Sequence, residues 1–186
     1  MSSIKQKITD FAGKVYSSFG SVAQEKTERA AAEKTYTQEM QSTLRRVAAE
    51  GAVLLENNGV LPLTEGTKVS VFGRVQYNWF YTGYGSGGDV NRPYAVNLVD
   101  GIRKCEKLVL NEELAGKYEK WCSENVINDA IWGKWPRFYP EMPVDDITVR
   151  SAKKNSDCAV VVIGRSSGED RENVLEKGSF YITDDE

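Results

Sequence analysis

Apolar positions recur at two different periods along this 186-residue chain, and the changes of period sketch its architecture. Ile4, Ile8, Phe11, Val15, Phe19 and Val22 fall at three- and four-residue steps, the spacing of one helix face. The segment QEKTERAAAEK that follows is rich in helix formers, so residues 1–35 read as a helical leader. A second helix is expected over Thr37–Asn58. Leu44, Val47, Ala48, Gly51, Leu54 and Leu55 would line one of its faces, with Gly59 at C′ and Pro62 barring continuation. Beyond Pro62 the apolar runs shorten. Lys68–Gly73 predicts a strand, Ala95–Lys104 a helix and Lys107–Leu110 a short strand. Asn111 predicts the cap of a helix from Glu112 to about Glu124, with two acids in its first turn. Val126–Pro143 reads as a loop bearing aromatics and prolines. Asp145 or Asp146 opens another helix to about Asn155, and Cys158–Gly164 closes the series as a strand. Within that strand Ala159–Ile163 does not alternate and is β-branched, the pattern of a strand buried on both faces of a parallel sheet.

Helices alternating with short apolar strands predict an α/β fold, a largely parallel sheet sandwiched by helices, over residues 36–186. Thr183-Asp184-Asp185-Glu186 reads as the first turn of a further helix. The sheet is therefore expected to be incomplete, with the domain truncated at its C-terminus and the chain a piece of a larger protein.

Composition narrows the function classes. A net charge of −3, without a dense basic cluster, argues against nucleic acid as a partner. No apolar run approaches the roughly 20 residues needed to span a bilayer, so no membrane partner is expected. MSSIKQKITDF lacks the apolar core of a secretory signal. Cys105, Cys122 and Cys158 have no metal-ligand spacing, and reduced thiols in a cytoplasmic protein account for them most simply. There is no histidine, which removes Ser-His-Asp and Cys-His nucleophile systems. Acid–base chemistry here must use Glu, Asp, Tyr or Lys.

Three stretches could carry chemistry. Gly83, Gly85 and Gly88 satisfy G-x-G-x-x-G, but the aromatic segment Gln76–Tyr81 separates them from the strand, and Arg92-Pro93 follows where a nucleotide site needs a helix. A flexible turn, or a loop that lets the backbone approach a polar ligand, are the other readings. Trp79, Phe80, Tyr81 and Tyr84 form one aromatic cluster; Trp132, Trp135, Phe138 and Tyr139 form a second. Such rings stack on sugar C–H faces, and they also seal loops onto a core. Finally, Glu169 lies just past the last strand, between Gly168 and Asp170, with Arg165 and Arg171 close by. Ligands of open α/β sheets collect at that edge, so Glu169 is a candidate acid or base; an ion-pair role in a charged loop is its alternative.

The order of four blocks resembles the α/β-sandwich domain of glycoside hydrolase family 3, the β-glucosidase-like enzymes. They are Arg46–Leu63 (RVAAEGAVLLENNGVLPL), Val69–Gly73 with the glycine loop Gly85–Gly88, Ser156–Arg165, and Ser167-Gly-Glu-Asp-Arg171 followed by Lys177–Glu186. The resemblance covers roughly residues 36–186. It implies the acid/base-bearing domain of a retaining β-glycosidase, a β-glucosidase first, acting on terminal β-linked sugars of oligosaccharides or glycosides without a cofactor. In the family the glutamate often lies in a motif like S-G-E-G-x-D-R, and Glu169 matches it. Here Asp170-Arg171 follows at once, two residues early, so Glu172 and Glu176 stay open as alternatives. The nucleophile would be an aspartate in a barrel domain absent from this chain, following it in an inverted domain order, and the fragment alone should be inactive. Trp79, Tyr81, Tyr84, Gly85, Ser86, Gly87, Gly88 and Arg165 are the expected substrate-binding residues. A non-catalytic carbohydrate-binding or interaction module, and a nucleotide-binding α/β domain using Gly83–Gly88, are the rival readings.

Overall fold

The computed structural model describes residues 36–81, 94–127, 136–166, 168 and 172–186. The expected leader, residues 1–35, lies outside them. By internal contacts the described residues divide into two units, 36–55 and the remainder from 56 onward.

The first unit is helix α1, Gln38–Glu50, with its trailing chain. Thr37 caps it, its Oγ1 accepting from the Met40 N–H at 3.1 Å. The expected extension to Asn58 does not form. At Gly51 the helix stops, and Val53, Leu54 and Leu55 beyond it are exposed. A glycine costs about 1 kcal/mol against alanine in a helix, and Val53 is β-branched. Among the described residues no packing offsets those costs, since none of the α1 residues is buried. Gly59 does have a positive φ, +99°, but as part of a turn organised by Asn57 and not as a helix C′. The Asn57 Oδ1 accepts from the N–H groups of Gly59 and Leu61, and its Nδ2 donates to the Leu61 carbonyl.

The second unit holds a three-stranded parallel sheet of order β2-β1-β3, with β1 Thr67–Phe72, β2 Leu108–Leu110 and β3 Cys158–Val161. Val69 pairs with Leu110 on one side and Cys158 on the other. Three helices join the strands: α2 Leu98–Lys104, α3 Glu112–Glu124 and α4 Asp146–Asn155. Asn97, Asn111 and Asp145 cap them, and the last two were legible as caps. Helix α2 starts three residues later than Ala95, because Asn97 caps it.

Both sheet faces carry helices, as expected, but unequally. Val69 and Val71 of β1 pack with Ile102 and Leu98 of α2, joined by Leu108, Leu110, Cys158, Val160 and Val162. On the opposite face Phe72 meets Leu114 and Tyr118 of α3, Ala152 of α4 and Met142. Strand β3 departs from the expectation of burial on both faces. Its second face is open: Val161 is 61% and Ile163 49% exposed. It lies at the sheet edge and ends at Val161, short of Gly164. A β-branched run reads the same whether or not a layer covers its second face. Among the described residues, the open face looks onto a cavity of about 190 Å³ walled by Phe72, Tyr118, Met142, Val149 and Ile163.

Candidate functional site

Strands β1 and β3 each end in Gly-Arg at the carboxyl edge of the sheet, and the two glycines bring those ends together. Gly73 has φ +101°, and a Cβ there would lie 2.1 Å from the Val162 carbonyl oxygen, so only glycine fits. Its N–H donates to the Tyr118 hydroxyl at 3.0 Å. A Cβ on Gly164 would meet Val75 Cγ2 at 2.3 Å and the Phe80 ring at 2.9 Å. Each strand end therefore passes directly against the chain leaving the other.

Arg74, 2% exposed, ties the loops behind this edge together. Its Nε donates to Asn78 Oδ1, Nη1 to the Pro140 carbonyl and Nη2 to the Asn125 carbonyl. The guanidinium lies 4.8 Å from the Trp121 ring centroid, in cation–π geometry. Burial lowers its pKa. The buried carboxylate of Glu141 accepts from the Arg74 backbone N–H at 2.6 Å. Burial pushes the Glu141 carboxyl up, and the nearby Glu186 adds to the rise.

Arg165 was expected to touch substrate, but protein acceptors take all five of its N–H groups. Nε donates to the Ser179 carbonyl at 3.0 Å, Nη1 to the Gly164 carbonyl at 2.9 Å and Nη2 to the Tyr181 carbonyl at 3.2 Å. The Glu186 carboxylate takes the remaining two at 2.5 and 2.7 Å. A guanidinium has five N–H donors, so none is left for a sugar hydroxyl. The pair holds the Glu186 carboxyl below the usual carboxylate range. Glu186 also closes a capping box: it accepts from the Thr183 N–H at 2.7 Å, while Thr183 Oγ1 accepts from the Glu186 N–H at 3.3 Å. The Thr-Asp-Asp-Glu run thus has the geometry of a helix start, as its sequence suggested.

The chain between these ties contains the sequence candidates. Ser166 donates from its N–H to the Arg137 carbonyl at 2.7 Å and from its hydroxyl to the Pro136 carbonyl. Arg137 Nη2 in turn donates to the Glu172 carbonyl at 3.0 Å. Ser166 and Glu172, on either side of 167–171, are therefore both held by the Pro136–Arg137 strap. Glu169 itself lies outside the described residues, as do Tyr84, Gly85, Ser86, Gly87, Gly88, Trp132 and Trp135. Glu172 and Glu176 are exposed, and Glu176 stands 3.8 Å from Arg137 Nη1.

The aromatic clusters divide by role. Phe80 stacks on Tyr139 at 4.5 Å between centroids, and Phe138 lies under Gly178 and 5.9 Å from the Arg165 guanidinium. These rings seal loops. Trp79 is exposed and Tyr81 half-buried, on either side of Phe80 in the chain. After the glycine loop, the next described helix opens only at Leu98, with Tyr94–Asn97 before it irregular; neither feature favours a phosphate cradle. Among the described residues no group of three or more His, Cys, Asp or Glu could hold a metal ion, and no helix is long and apolar enough to cross a membrane. Arg74, Arg137, Glu141 and Glu186 were not singled out from sequence as site residues. The Gly-Arg pair repeated after β1 and β3 was a signal for Arg74, and the T-x-x-E spacing at 183–186 one for Glu186; no local pattern marks Arg137 or Glu141.

Comparison with known proteins places this edge in a family. Residues 52–182 match the model described as the glycosyl hydrolase family 3 C-terminal domain. A Beta-glucosidase of Ruminococcus albus is 41% identical over 141 residues, which are 75% of this chain and 15% of that protein. Beta-glucosidase A of Butyrivibrio fibrisolvens is 30% identical over 162 residues, 75% of this chain and 19% of its own. Among solved structures, a beta-glucosidase from Paenibacillus barengoltzii superposes with a TM-score of 0.78 at 41% identity, covering 81% of this chain and 17% of that one. Beta-glucosidase 3B of Thermotoga neapolitana, solved with alpha-D-glucose, gives 0.67 at 32% identity over 80% of this chain and 21% of its own. The chain thus spans about a fifth or less of the relatives named here. With 131 consecutive residues matched out of 186 (52 to 182 inclusive), the chain belongs to glycosyl hydrolase family 3.

Proposed function

We infer that this chain is the acid/base-bearing domain of a retaining β-glycosidase, a β-glucosidase first, with Glu169 as the acid/base. The observation that supports it most is the stretch around Glu169. Its described flanks, Ser166 beyond the carboxyl edge of the sheet and Glu172, are both held by Pro136–Arg137, and Glu169 lies in sequence between them, inside the matched region. The names of the relatives point the same way. In this reading a carboxyl protonates the departing glycosidic oxygen, and a nucleophile carboxylate about 5–5.5 Å away forms the glycosyl-enzyme. The first carboxylate then takes a proton from the attacking water. The nucleophile would come from a barrel domain of the same polypeptide, no cofactor takes part, and the oligosaccharide or glycoside would meet Trp79, Tyr81, Tyr84 and Gly85–Gly88. A cytoplasmic location belongs to the same proposal and is read by cell fractionation.

The test is Glu169→Gln in the full-length enzyme. General-acid help is worth typically about 10²–10⁴-fold, and only where the leaving oxygen needs a proton. Cellobiose hydrolysis should fall by that factor, while glycosylation by a dinitrophenyl glucoside is largely spared. Azide, which needs no general base, should restore turnover and give a glycosyl azide of retained configuration. Near-wild-type cellobiose hydrolysis, with Glu172→Gln or Glu176→Gln inactive instead, would move the role to that residue.

A further inference from the structure

Trp79 is 40% exposed, and among the described residues its indole makes no hydrogen bond, ring stack or cation–π contact. The residues on either side of it are fixed. Asn78 Oδ1 accepts from Arg74 Nε at 2.9 Å, and the Asn78 N–H donates to the Arg74 carbonyl at 3.2 Å. Phe80 stacks on Tyr139 at 4.5 Å between centroids, with 28° between the planes, and its ring lies against Gly164. Both anchors return to one strap of three consecutive residues. Tyr139 carries the stack, the Pro140 carbonyl accepts from Arg74 Nη1 at 3.1 Å, and the Glu141 carboxylate accepts from the Arg74 N–H at 2.6 Å. The turn is therefore bolted down before and after Trp79. A large apolar ring left in water contributes little to the fold. A rigid backbone beneath it lowers the entropy lost when a ligand stacks on it.

We propose that Trp79 is a stacking face for a sugar ring of the glycoside, and that Arg74, Asn78 and the Phe80–Tyr139 stack are the positioning residues that mount it. The proposal rests on the reading above that the glycoside meets Trp79. The C–H face of a sugar ring is apolar, and an indole offers it a large rigid partner whose N–H can bond a hydroxyl. Bound substrate and transition state feel such stacking alike, so it lowers KM and leaves kcat unchanged. The mount therefore acts on sugar binding, through Trp79 alone, and not on proton transfer.

The test uses the full-length enzyme on cellobiose, with Trp79→Ala, Asn78→Ala, Phe80→Leu and each of the last two combined with Trp79→Ala. Trp79→Ala should raise KM about 3- to 10-fold with kcat within about twofold. Asn78→Ala and Phe80→Leu should each raise KM about 2- to 5-fold where Trp79 is present, and add nothing to Trp79→Ala. Asn78→Asp keeps an acceptor for Arg74 Nε, so its KM should stay within about twofold of the wild type. A general loss of folded enzyme would lower the apparent kcat and leave KM alone. That outcome for the mount variants, or KM effects that add to those of Trp79→Ala, overturns the mount. If Phe80→Leu does not fold, Asn78→Ala, which leaves Arg74 its two carbonyl acceptors, decides by the same criterion. Should Trp79→Ala leave KM unchanged, the stacking assignment fails and takes the mount with it, whatever Glu169→Gln shows. If the Trp79 and mount variants behave as expected while Glu169→Gln keeps full activity on cellobiose, the acid/base assignment fails and the mount stands.

Discussion

Strands β1 and β3 end in the same dipeptide, yet Gly73-Arg74 and Gly164-Arg165 do opposite things. Arg74 is sunk behind the sheet with its guanidinium on carbonyls, an amide oxygen and an indole face, and its carboxylate neighbour Glu141 binds the backbone N–H instead. Its pKa is lowered by burial. Arg165 is bidentate with a carboxylate, and that pairing raises its pKa. Arg74 therefore acts as a fixed internal strut, and Arg165 as a charge-paired latch between the exit of β3 and the returning chain at Ser179–Tyr181. The difference shows that an arginine at a strand end is not by itself a substrate contact. Its donors have to be counted first.

The glycines should give the largest contrast. Gly73→Ala puts a Cβ against a backbone carbonyl at a left-handed φ, adding a conformational cost of about 1–3 kcal/mol to an overpacking cost of similar size. Gly164→Ala meets side chains instead of backbone, both γ-methyls of the buried Val75 and the Phe80 ring, so an overpacking cost of about 1–3 kcal/mol is expected without the backbone strain. Denaturant unfolding followed by hydrogen exchange at β1 and β3 measures both. Equal losses would mean that the two strand ends are equally rigid.

Replacing the arginines should come next. Arg74→Met removes the partner of the part-buried Asn125 and Pro140 carbonyls and of the Asn78 amide oxygen, hydrogen bonds from a charged group worth about 1.5–3 kcal/mol each, and exchange should rise across β1 and α3. Arg165→Met should cost about 3–5 kcal/mol at pH 7, because it leaves the Glu186 carboxylate, 3% exposed, without its partner. Exchange should then rise only over 172–186. If Arg165→Met loosened the whole sheet, the distinction between strut and latch would collapse.

How much of this could be read beforehand follows from where the information is local. The caps Asn111 and Asp145, the strand at Lys68–Gly73 and the Thr183–Glu186 turn were legible because each is set by neighbours within four residues. Helix α1 was overextended because Leu54 and Leu55 keep the right spacing although nothing in the described structure packs on them. The open second face of β3 was misread because Val160, Val161 and Val162 look alike whichever face is covered. The ties from Arg165 to Glu186 and from Arg74 to Asn125 join residues 21 and 51 positions apart, and no spacing rule reaches that far.

The smallest effects, and the sharpest test of the comparison, are in the pH dependence of the two carboxylates. Both have an ordinary value near 4.5 and move in opposite directions. Glu186 is lowered on folding by Arg165, then by the Thr183 N–H. Well above 4.5 it is ionised folded or unfolded, and its stabilisation is complete. As the pH falls below 4.5 the unfolded chain takes up the proton first, and the contribution is lost through the depressed folded value. Glu141 is raised by burial. Its folded form holds the proton to higher pH than the unfolded chain, so stability falls as the pH climbs from 4.5 through the raised value. Glu186→Gln should therefore cost about 1–2 kcal/mol at pH 7 and flatten the acid limb of the stability profile. Glu141→Gln keeps an oxygen for the Arg74 N–H and removes the ionisation. It should be neutral or slightly stabilising at pH 7, and it should abolish the decline above pH 4.5. Thermal unfolding from about pH 2 to 8 reads both slopes, and slopes of the same sign for the two variants would mean that the carboxylates share one environment.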